Sequence, residues 1–411
     1  MLQRSVRNLA VISLHTSPLA QPGSGDSGGM NVYVRELVSA LAQAGVGCTV
    51  YVRRWDDELP DVVDVEPGFR VVHVRAGPSD LAKEALPEIV DEFAEGTLAS
   101  IVDQGNVDAL HANYWLSGVV GHSIKHRLDL PLVSTFHTLA RVKAETGDPE
   151  PQRRIDAEAD VIRCSDAILA NSAAEATQLV ELYGAPAERI EIVPPGVDHA
   201  FFAPGDRRGA RRALGLDPDR PTLLFVGRIQ PLKGLPIAVA ALGEMARRDA
   251  QFVVVGGPSG LSGEVELEKT RAMIDELGLG ARVQFVEPQP HHLLSTYYRA
   301  ADVCVVPSRS ESFGLVALEA AACGTPVVAA AVGGLLTLVN EGRTGFLVDS
   351  RDPREYAAYI DRILDDEALA ARLSIAAAER ARTYTWSTTA GRLRRLYADL
   401  TSRSLVECVP S

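Results

Sequence analysis

Short β-branched apolar runs alternate with longer stretches of helical period along this chain, and the alternation starts twice. Asn8–Leu14 reads as the first strand, and behind it Val34, Leu37, Val38 and Leu41 fall at the i, i+3, i+4, i+7 spacing of one helix face. Cys48–Val52 completes a strand–helix–strand unit, which demands parallel strands joined by a crossover helix. Further strands are predicted at Phe69–Val74, Val107–His111, Leu132–Thr135, Ala167–Asn171 and Ile190–Val193. After Pro194-Pro195-Gly196 and a polar, Arg-rich stretch to Arg220, the pattern begins again at Thr222–Val226. It continues through Phe252–Val255, Val283–Phe285, Val303–Val306, Pro326–Ala330 and Phe346–Val348. The reading is α/β: two Rossmann-like doubly wound domains, residues 1–200 and 201–385, facing a crevice where strand carboxyl ends of both halves hold the ligand. At 411 residues the chain is long enough for two such cores.

Charge and cysteine content exclude several classes of function. Forty-one Lys and Arg against 54 Asp and Glu leave a net charge of −13, so no nucleic acid partner is expected and any anion must be met by local cations. Cys48, Cys164, Cys304, Cys323 and Cys408 are scattered and odd in number, which argues against a disulfide framework or a zinc knuckle and for a reducing compartment. Behind Arg4 and Arg7 the apolar run is too short for a signal-peptide core, so a cytoplasmic location is expected. Ala320–Val339 carries no charge over twenty residues, but Gly324, Pro326 and Gly333-Gly334 break it. It reads as buried helix, turn, strand and loop, and no membrane insertion is expected.

Three segments carry chemistry. Gly28-Gly29 follows a Gly-rich stretch with Gly23 and Gly25 and opens a helix, where backbone can approach a phosphate; a plain tight turn is the competing reading. The G-x-G-x-x-G fingerprint of dinucleotide sites is missing, which disfavours an NAD oxidoreductase. Arg228 and Lys233 stand on the loop after the predicted strand Thr222–Val226 and suit a diphosphate, Arg as a fork and Lys as a point charge, unless they are solvated loop charges. Glu311 lies in the loop after Val303–Val306, and Glu319 eight residues on falls inside an apolar helix. A carboxylate there needs a partner, either a sugar or ribose diol or a basic group on the helix face. Asp217-Pro-Asp219 reads as a turn rather than a metal site, and no role is assigned to the other histidines, His291 and His292 among them.

Together the E-x7-E segment 311–319, the Gly-Arg-x4-Lys segment 227–233 and the Gly28-Gly29 loop resemble the family-four retaining glycosyltransferases of the GT-B fold, over nearly the whole chain. The resemblance implies a retaining hexosyltransferase with a nucleotide sugar as co-substrate and no required cofactor or metal. It implies donor binding by Gly28, Gly29, Arg228, Lys233, Glu311, Phe313, Gly314, Leu315 and Glu319. Arg228 and Lys233 would hold the diphosphate, Glu319 the ribose hydroxyls, and Glu311 with the 313–315 backbone the sugar. His137 would sit beside the donor sugar, though as a lone histidine it is equally a structural residue. Arg228, Lys233, His137 and Glu311 are the catalytic candidates. Front-face attack is the mechanism commonly invoked for such enzymes. A terminal helix, 386–405, would return to pack on the N-terminal half, and a homodimer through that half is plausible by resemblance.

Within that family the N-terminal half is similar to the branch that joins N-acetylglucosamine to an inositol phosphate. The matching text is His15-Thr-Ser-Pro-Leu, Gly25-Asp-Ser-Gly-Gly-Met-Asn-Val-Tyr33, Lys83-Glu-Ala-Leu-Pro87, Tyr114-Trp-Leu-Ser-Gly118, His137-Thr-Leu-Ala140 and Arg153-Arg154. It implies an acceptor site of Asn31, Lys83, Tyr114, Thr138 and Arg153, with Arg154 the alternative across a one-residue gap. Two cations and two hydroxyls from four segments suit a phosphomonoester, although each alone is bland: a surface charge or a core-edge phenol. Asn113 stands where that branch usually has His, Gln289 stands where an Arg is common, and the stretch after Val142-Lys143 is short. Sucrose-phosphate synthases share much of the pattern, so UDP-, ADP- or GDP-glucose donors and a fructose 6-phosphate or secondary-metabolite acceptor are alternatives. A non-catalytic nucleotide-sugar sensor is the outside reading.

Overall fold

Eight strands form one sheet and six a second in the computed structural model, which describes residues 6–23 and 27–408, Leu261 without its side chain. Arg4 and Gly25 lie outside the described residues. The first sheet holds β1 (Asn8–Ile12), β2 (Gly47–Arg53), β3 (Val62–Glu66), β4 (Phe69–Val74), β5 (Ala109–Asn113), β6 (Leu132–Thr135), β7 (Ala167–Ala170) and β8 (Ile190–Ile192). Its spatial order is β3-β4-β2-β1-β5-β6-β7-β8, parallel apart from the antiparallel edge pair β3 and β4. The second sheet holds β9 (Thr222–Val226), β10 (Gln251–Val255), β11 (Val283–Val286), β12 (Val303–Val306), β13 (Val327–Ala330) and β14 (Gly345–Val348), ordered β11-β10-β9-β12-β13-β14. Both are doubly wound, as the alternating pattern requires. β3 escapes the sequence reading because its exposed and half-exposed residues give an edge strand little apolar signal.

The chain divides into two compact units. The first comprises residues 1–20, 30–194 and 386–411, the second residues 21–29 and 195–385. In the first unit alternate residues of β1 feed opposite faces: Leu9 and Val11 enter one apolar cluster, Ala10 and Ile12 the other. Strands buried on both faces are what a sheet covered by crossover helices produces. The helix Trp386–Leu400 adds Trp386, Ala390, Leu393, Tyr397 and Leu400 to the Leu9 and Val11 side. Those positions recur every three to four residues, one stripe of a helix, and each large side chain so buried contributes about 1.5–3 kcal/mol.

The uncharged stretch 320–339 forms the end of the helix Leu315–Ala322, then β13, a loop and the short helix Leu335–Leu338. No helix among the described residues is long and apolar enough to cross a membrane. The Asp219 N–H donates to Asp217 Oδ1 at 3.0 Å, the turn expected there. Against the reading that scattered cysteines form no disulfide framework or zinc knuckle, the fold sets Cys164 and Cys408 side by side, their Cα atoms 5.4 Å apart across 244 residues of sequence. Distance along the chain is a poor guide once a C-terminal helix returns to the first sheet.

Candidate active site

In a doubly wound sheet the loops leaving two adjacent strands on either side of the order reversal diverge, and the gap receives a ligand. In the second unit those strands are β9 and β12. Gly227 and Arg228 leave the end of β9, and a short 3-10 turn, Pro231–Lys233, follows. Ser308 to Gly314 leave the end of β12 and enter the helix Leu315–Ala322. The two loops are tied together: Lys233 pairs with Glu311, and Ser308 Oγ donates to the same carboxylate oxygen at 3.0 Å. The Gly334 N–H holds the Glu311 carbonyl at 2.8 Å, and a Cβ on Gly333 would stand 1.9 Å from that oxygen, so Glu311 is seated on backbone that only glycine allows. The first-turn N–H groups of the helix Leu315–Ala322, behind Gly314, have no intrahelical acceptors and carry the positive end of its dipole.

Gly28 and Gly29 group with this second unit. A Cβ on Gly28 would lie 3.0 Å from Arg228 Nε, so the loop and the guanidinium share one small space. Arg228 Nη1 also donates to Ser259 Oγ at 3.3 Å. Glu319 is 5% exposed, and its two oxygens are met by His291 Nε2 at 2.7 Å and the Tyr298 hydroxyl at 2.8 Å. Burial and then the Glu319 charge drive the Tyr298 hydroxyl far above its ordinary pKa, so it stays a donor. His291, to which the sequence reading assigns nothing, and Tyr298, which it does not name, are thus the direct neighbours of Glu319. Neither lies at a helical or strand spacing from Glu319, and no sequence signal points to them. Gln289 donates to the Glu287 carbonyl at 2.9 Å.

The first unit repeats the arrangement around β1 and β5. His15 follows β1, Tyr114 follows β5, and His137 and Thr138 follow β6. Tyr114 at φ 77° and His137 at φ 62° occupy left-handed backbone, which costs about 1–3 kcal/mol for residues other than glycine. His137 Nε2 shares a 2.9 Å hydrogen bond with Asn113 Oδ1, and its ring meets Tyr33 edge-on at 4.8 Å. Burial, then His111 and His15, push the His137 imidazole down to about 3, so it is neutral. Asn31 is buried and donates to Thr16 Oγ1 at 2.6 Å and the Ser17 carbonyl at 2.5 Å.

The remaining candidates gather at the start of the helix Gln152–Cys164. Arg154 is buried, donates to Thr138 Oγ1 at 3.1 Å, and places its guanidinium 5.1 Å from the centre of the Tyr114 ring. Its charge is balanced by Glu150 and Glu158, each at 2.8 Å. Arg153, one residue earlier, is exposed and donates to the Glu84 carbonyl at 3.2 Å, next to Lys83. The structure therefore brings Tyr114 and Thr138 together through Arg154, and Arg153 to the Lys83 segment.

Two doubly wound units, each with charged and hydroxyl side chains at its strand carboxyl ends, are the architecture of a GT-B enzyme. The chain belongs to the glycosyltransferases: residues 27–201 match Glycosyltransferase Family 4 and residues 206–380 match Glycosyl transferases group 1. It is a hexosyltransferase that takes a nucleotide sugar as donor and a small molecule as acceptor. It is 45% identical to the D-inositol 3-phosphate glycosyltransferase of Thermobispora bispora over 414 residues, covering 98% of this chain and 96% of that one. With the protein of the same name from Geodermatophilus obscurus it shares 48% over 406 residues, 95% of this chain and 89% of the other. Among solved structures, sucrose-phosphate synthase from Thermosynechococcus elongatus superposes with a TM-score of 0.90 at 36% identity, covering 96% of this chain and 99% of that one. An Anabaena protein, HepE, solved with UDP and glucose, shares the fold with a TM-score of 0.77 at 21% identity over 96% of this chain and all of its own.

Proposed function

We propose that this glycosyltransferase moves N-acetylglucosamine from UDP-N-acetylglucosamine to 1L-myo-inositol 1-phosphate, also written D-inositol 3-phosphate, with retention at the anomeric carbon. The observation that carries the acceptor is the set Tyr114, Thr138 and Arg154 with Arg153 beside Lys83, in a chain 44–48% identical to relatives named for that acceptor. Arg154 is already neutralised by Glu150 and Glu158, so its part is to hold Tyr114 and Thr138 in place. Arg153 and Lys83, both exposed, supply the charge that a phosphomonoester needs. Asn31 orders the 16–17 backbone on the acceptor side.

The second unit takes the donor in this reading. Arg228, Lys233 and the Gly29 N–H meet the diphosphate, with Gly28 giving Arg228 room, and Glu319 meets the ribose diol through the lone pairs left by His291 and Tyr298. Glu311 and the 313–315 backbone meet the sugar. An acceptor hydroxyl bonds to the anomeric carbon as its bond to the UDP oxygen breaks, and that departing oxygen takes the hydroxyl proton. The protein positions both partners and stabilises the leaving charge. His137, neutral and fixed by Asn113, offers the sugar a hydrogen bond rather than a charge. Two local cations make a divalent ion unnecessary, so turnover is expected to survive EDTA. The short apolar run behind Arg7 supports a cytoplasmic location, and the family resemblance supports a homodimer through the first unit.

Sucrose-phosphate synthase at 36% identity supports a second reading, with glucose moved to fructose 6-phosphate by the same phosphate grip. A product assay separates them: UDP-N-acetylglucosamine, UDP-glucose, ADP-glucose and GDP-glucose, each against inositol 1-phosphate, fructose 6-phosphate and free inositol. Turnover of UDP-N-acetylglucosamine with inositol phosphate, lost in Lys83→Ala, is the expected result. Turnover with fructose 6-phosphate alone would replace the first reading with the second.

A further inference from the structure

Four metal-ligating side chains with no part in the chemistry above meet in the first unit. His122 and His126 stand one turn apart on the helix Trp115–Leu128, a spacing that puts both rings on one face. Cys164 ends the helix Gln152–Cys164, and Cys408 arrives on the segment after the helix Trp386–Leu400. One donor atom from each falls within a group 4.8 Å across. His126 Nε2 lies 3.4 Å from Cys164 Sγ and 3.1 Å from Cys408 Sγ, and His122 Nε2 lies 3.6 Å from Cys408 Sγ. In a tetrahedral zinc site, with Zn–S about 2.3 Å and Zn–N about 2.0–2.1 Å, neighbouring nitrogen and sulfur ligands stand roughly 3.5 Å apart. The three nitrogen–sulfur spacings are close to the edges of such a tetrahedron.

We propose that His122, His126, Cys164 and Cys408 bind one Zn²⁺ as a closed structural site that fastens the chain's C-terminal segment to the first unit. Two imidazoles and two thiolates are a ligand set that selects zinc over harder ions, and they leave no open position for chemistry. Binding releases the two thiol protons, and the two thiolate charges neutralise the ion. The surroundings already hold the pieces in register. Asp166, two residues beyond Cys164, accepts from the Val406 N–H at 2.7 Å, two residues before Cys408. The other Asp166 oxygen takes the ammonium of Lys125, the neighbour of His126, at 2.8 Å, and that ammonium also donates to the Cys164 carbonyl at 2.8 Å. A Cys164–Cys408 disulfide is the rival, since a Cα separation of 5.4 Å suits one. It gives no reason for two imidazole nitrogens to converge on the same sulfur.

The full chain, expressed with zinc in the medium and purified without chelator or thiol, is to be examined by elemental analysis and intact mass. One zinc per chain is expected, with thiolate-to-metal charge-transfer absorption when cobalt replaces it. His126→Ala removes an exposed ring at little cost to folding and is expected to abolish stoichiometric metal and raise amide exchange over 402–408. An intact mass lighter by two hydrogens with a Cys164–Cys408 cross-linked peptide, or two free thiols and no metal, would overturn the proposal. So would zinc retained unchanged in both His126→Ala and Cys408→Ser.

Discussion

Lys233 and Glu311, 78 residues apart in sequence, form a partly buried ion pair that joins the loop after β9 to the loop after β12. The pair neutralises the lysine, so under the donor reading proposed above a diphosphate must compete with Glu311 for it. Lys233→Ala removes a cation from the leaving group and leaves Glu311 unbalanced; kcat/KM is expected to fall by ~10²-fold or more. Glu311→Gln keeps the lysine charge, and nucleotide-diphosphate product should then bind more tightly while kcat falls. Steady-state kinetics with UDP inhibition reads both, and weaker UDP inhibition in Glu311→Gln would refute the competition.

Arg153 and Arg154 should separate cleanly. Arg153→Ala is expected to raise KM for the phosphorylated acceptor about tenfold or more with unfolding unchanged, since its side chain is exposed. Arg154→Ala leaves Glu158, fully buried, without its cation, while Glu150 keeps Lys143, and should cost about 3–5 kcal/mol in urea unfolding. Equal stability of the two variants would contradict this division.

Gly28→Ala puts a methyl carbon 3.0 Å from Arg228 Nε, and the guanidinium must move by a few tenths of an ångström. The fold has no reason to suffer, but under the proposed donor reading the diphosphate loses an aligned partner. A roughly tenfold loss in kcat/KM with an unchanged Tm is expected, below the ~10²-fold that an ångström of misplacement costs.

His111 gives a pH test of stability. Its ring is fully buried between Thr135 Oγ1 at 2.9 Å and the Tyr397 hydroxyl at 2.8 Å, and burial lowers it to about 3. The unfolded chain takes up this proton near pH 6.5 and the folded chain does not, so the contribution is whole above pH 6.5 and shrinks as pH falls toward 3. Stability should drop by about 1 kcal/mol per pH unit from this group between pH 6 and 4. In His111→Gln, denaturant titrations across that range should show a lower starting stability and a shallower slope.

Much of this was legible from sequence, and the failures have a common character. β9 and β12 are continuous apolar runs, and the residues that follow them, Gly227-Arg228 and Ser308 to Glu311, could be placed on loops at strand ends from the pattern alone. Glu319 could be marked as a buried carboxylate in need of a partner, but its partners His291 and Tyr298 come from another part of the chain and could not be found by spacing. The 153–154 pair could be located but not divided, because which arginine is buried depends on the packing of the helix Gln152–Cys164. His122 and His126 carried a readable one-turn spacing; the two cysteines that complete their cluster carried none.

By itself the sequence determined what is local: strands and helices from apolar period, loops from glycine and proline, and the residue types that can hold a diphosphate or a phosphate. Those follow from backbone sterics and burial within a few residues of each position. The tertiary structure alone decided which distant groups share a space: Lys233 with Glu311, Tyr298 and His291 with Glu319, Arg154 with Thr138, Cys408 with Cys164. Each pairing depends on how strands order themselves in a sheet and where a returning helix lands. Both are settled by the burial of whole faces and not by any short run of residues.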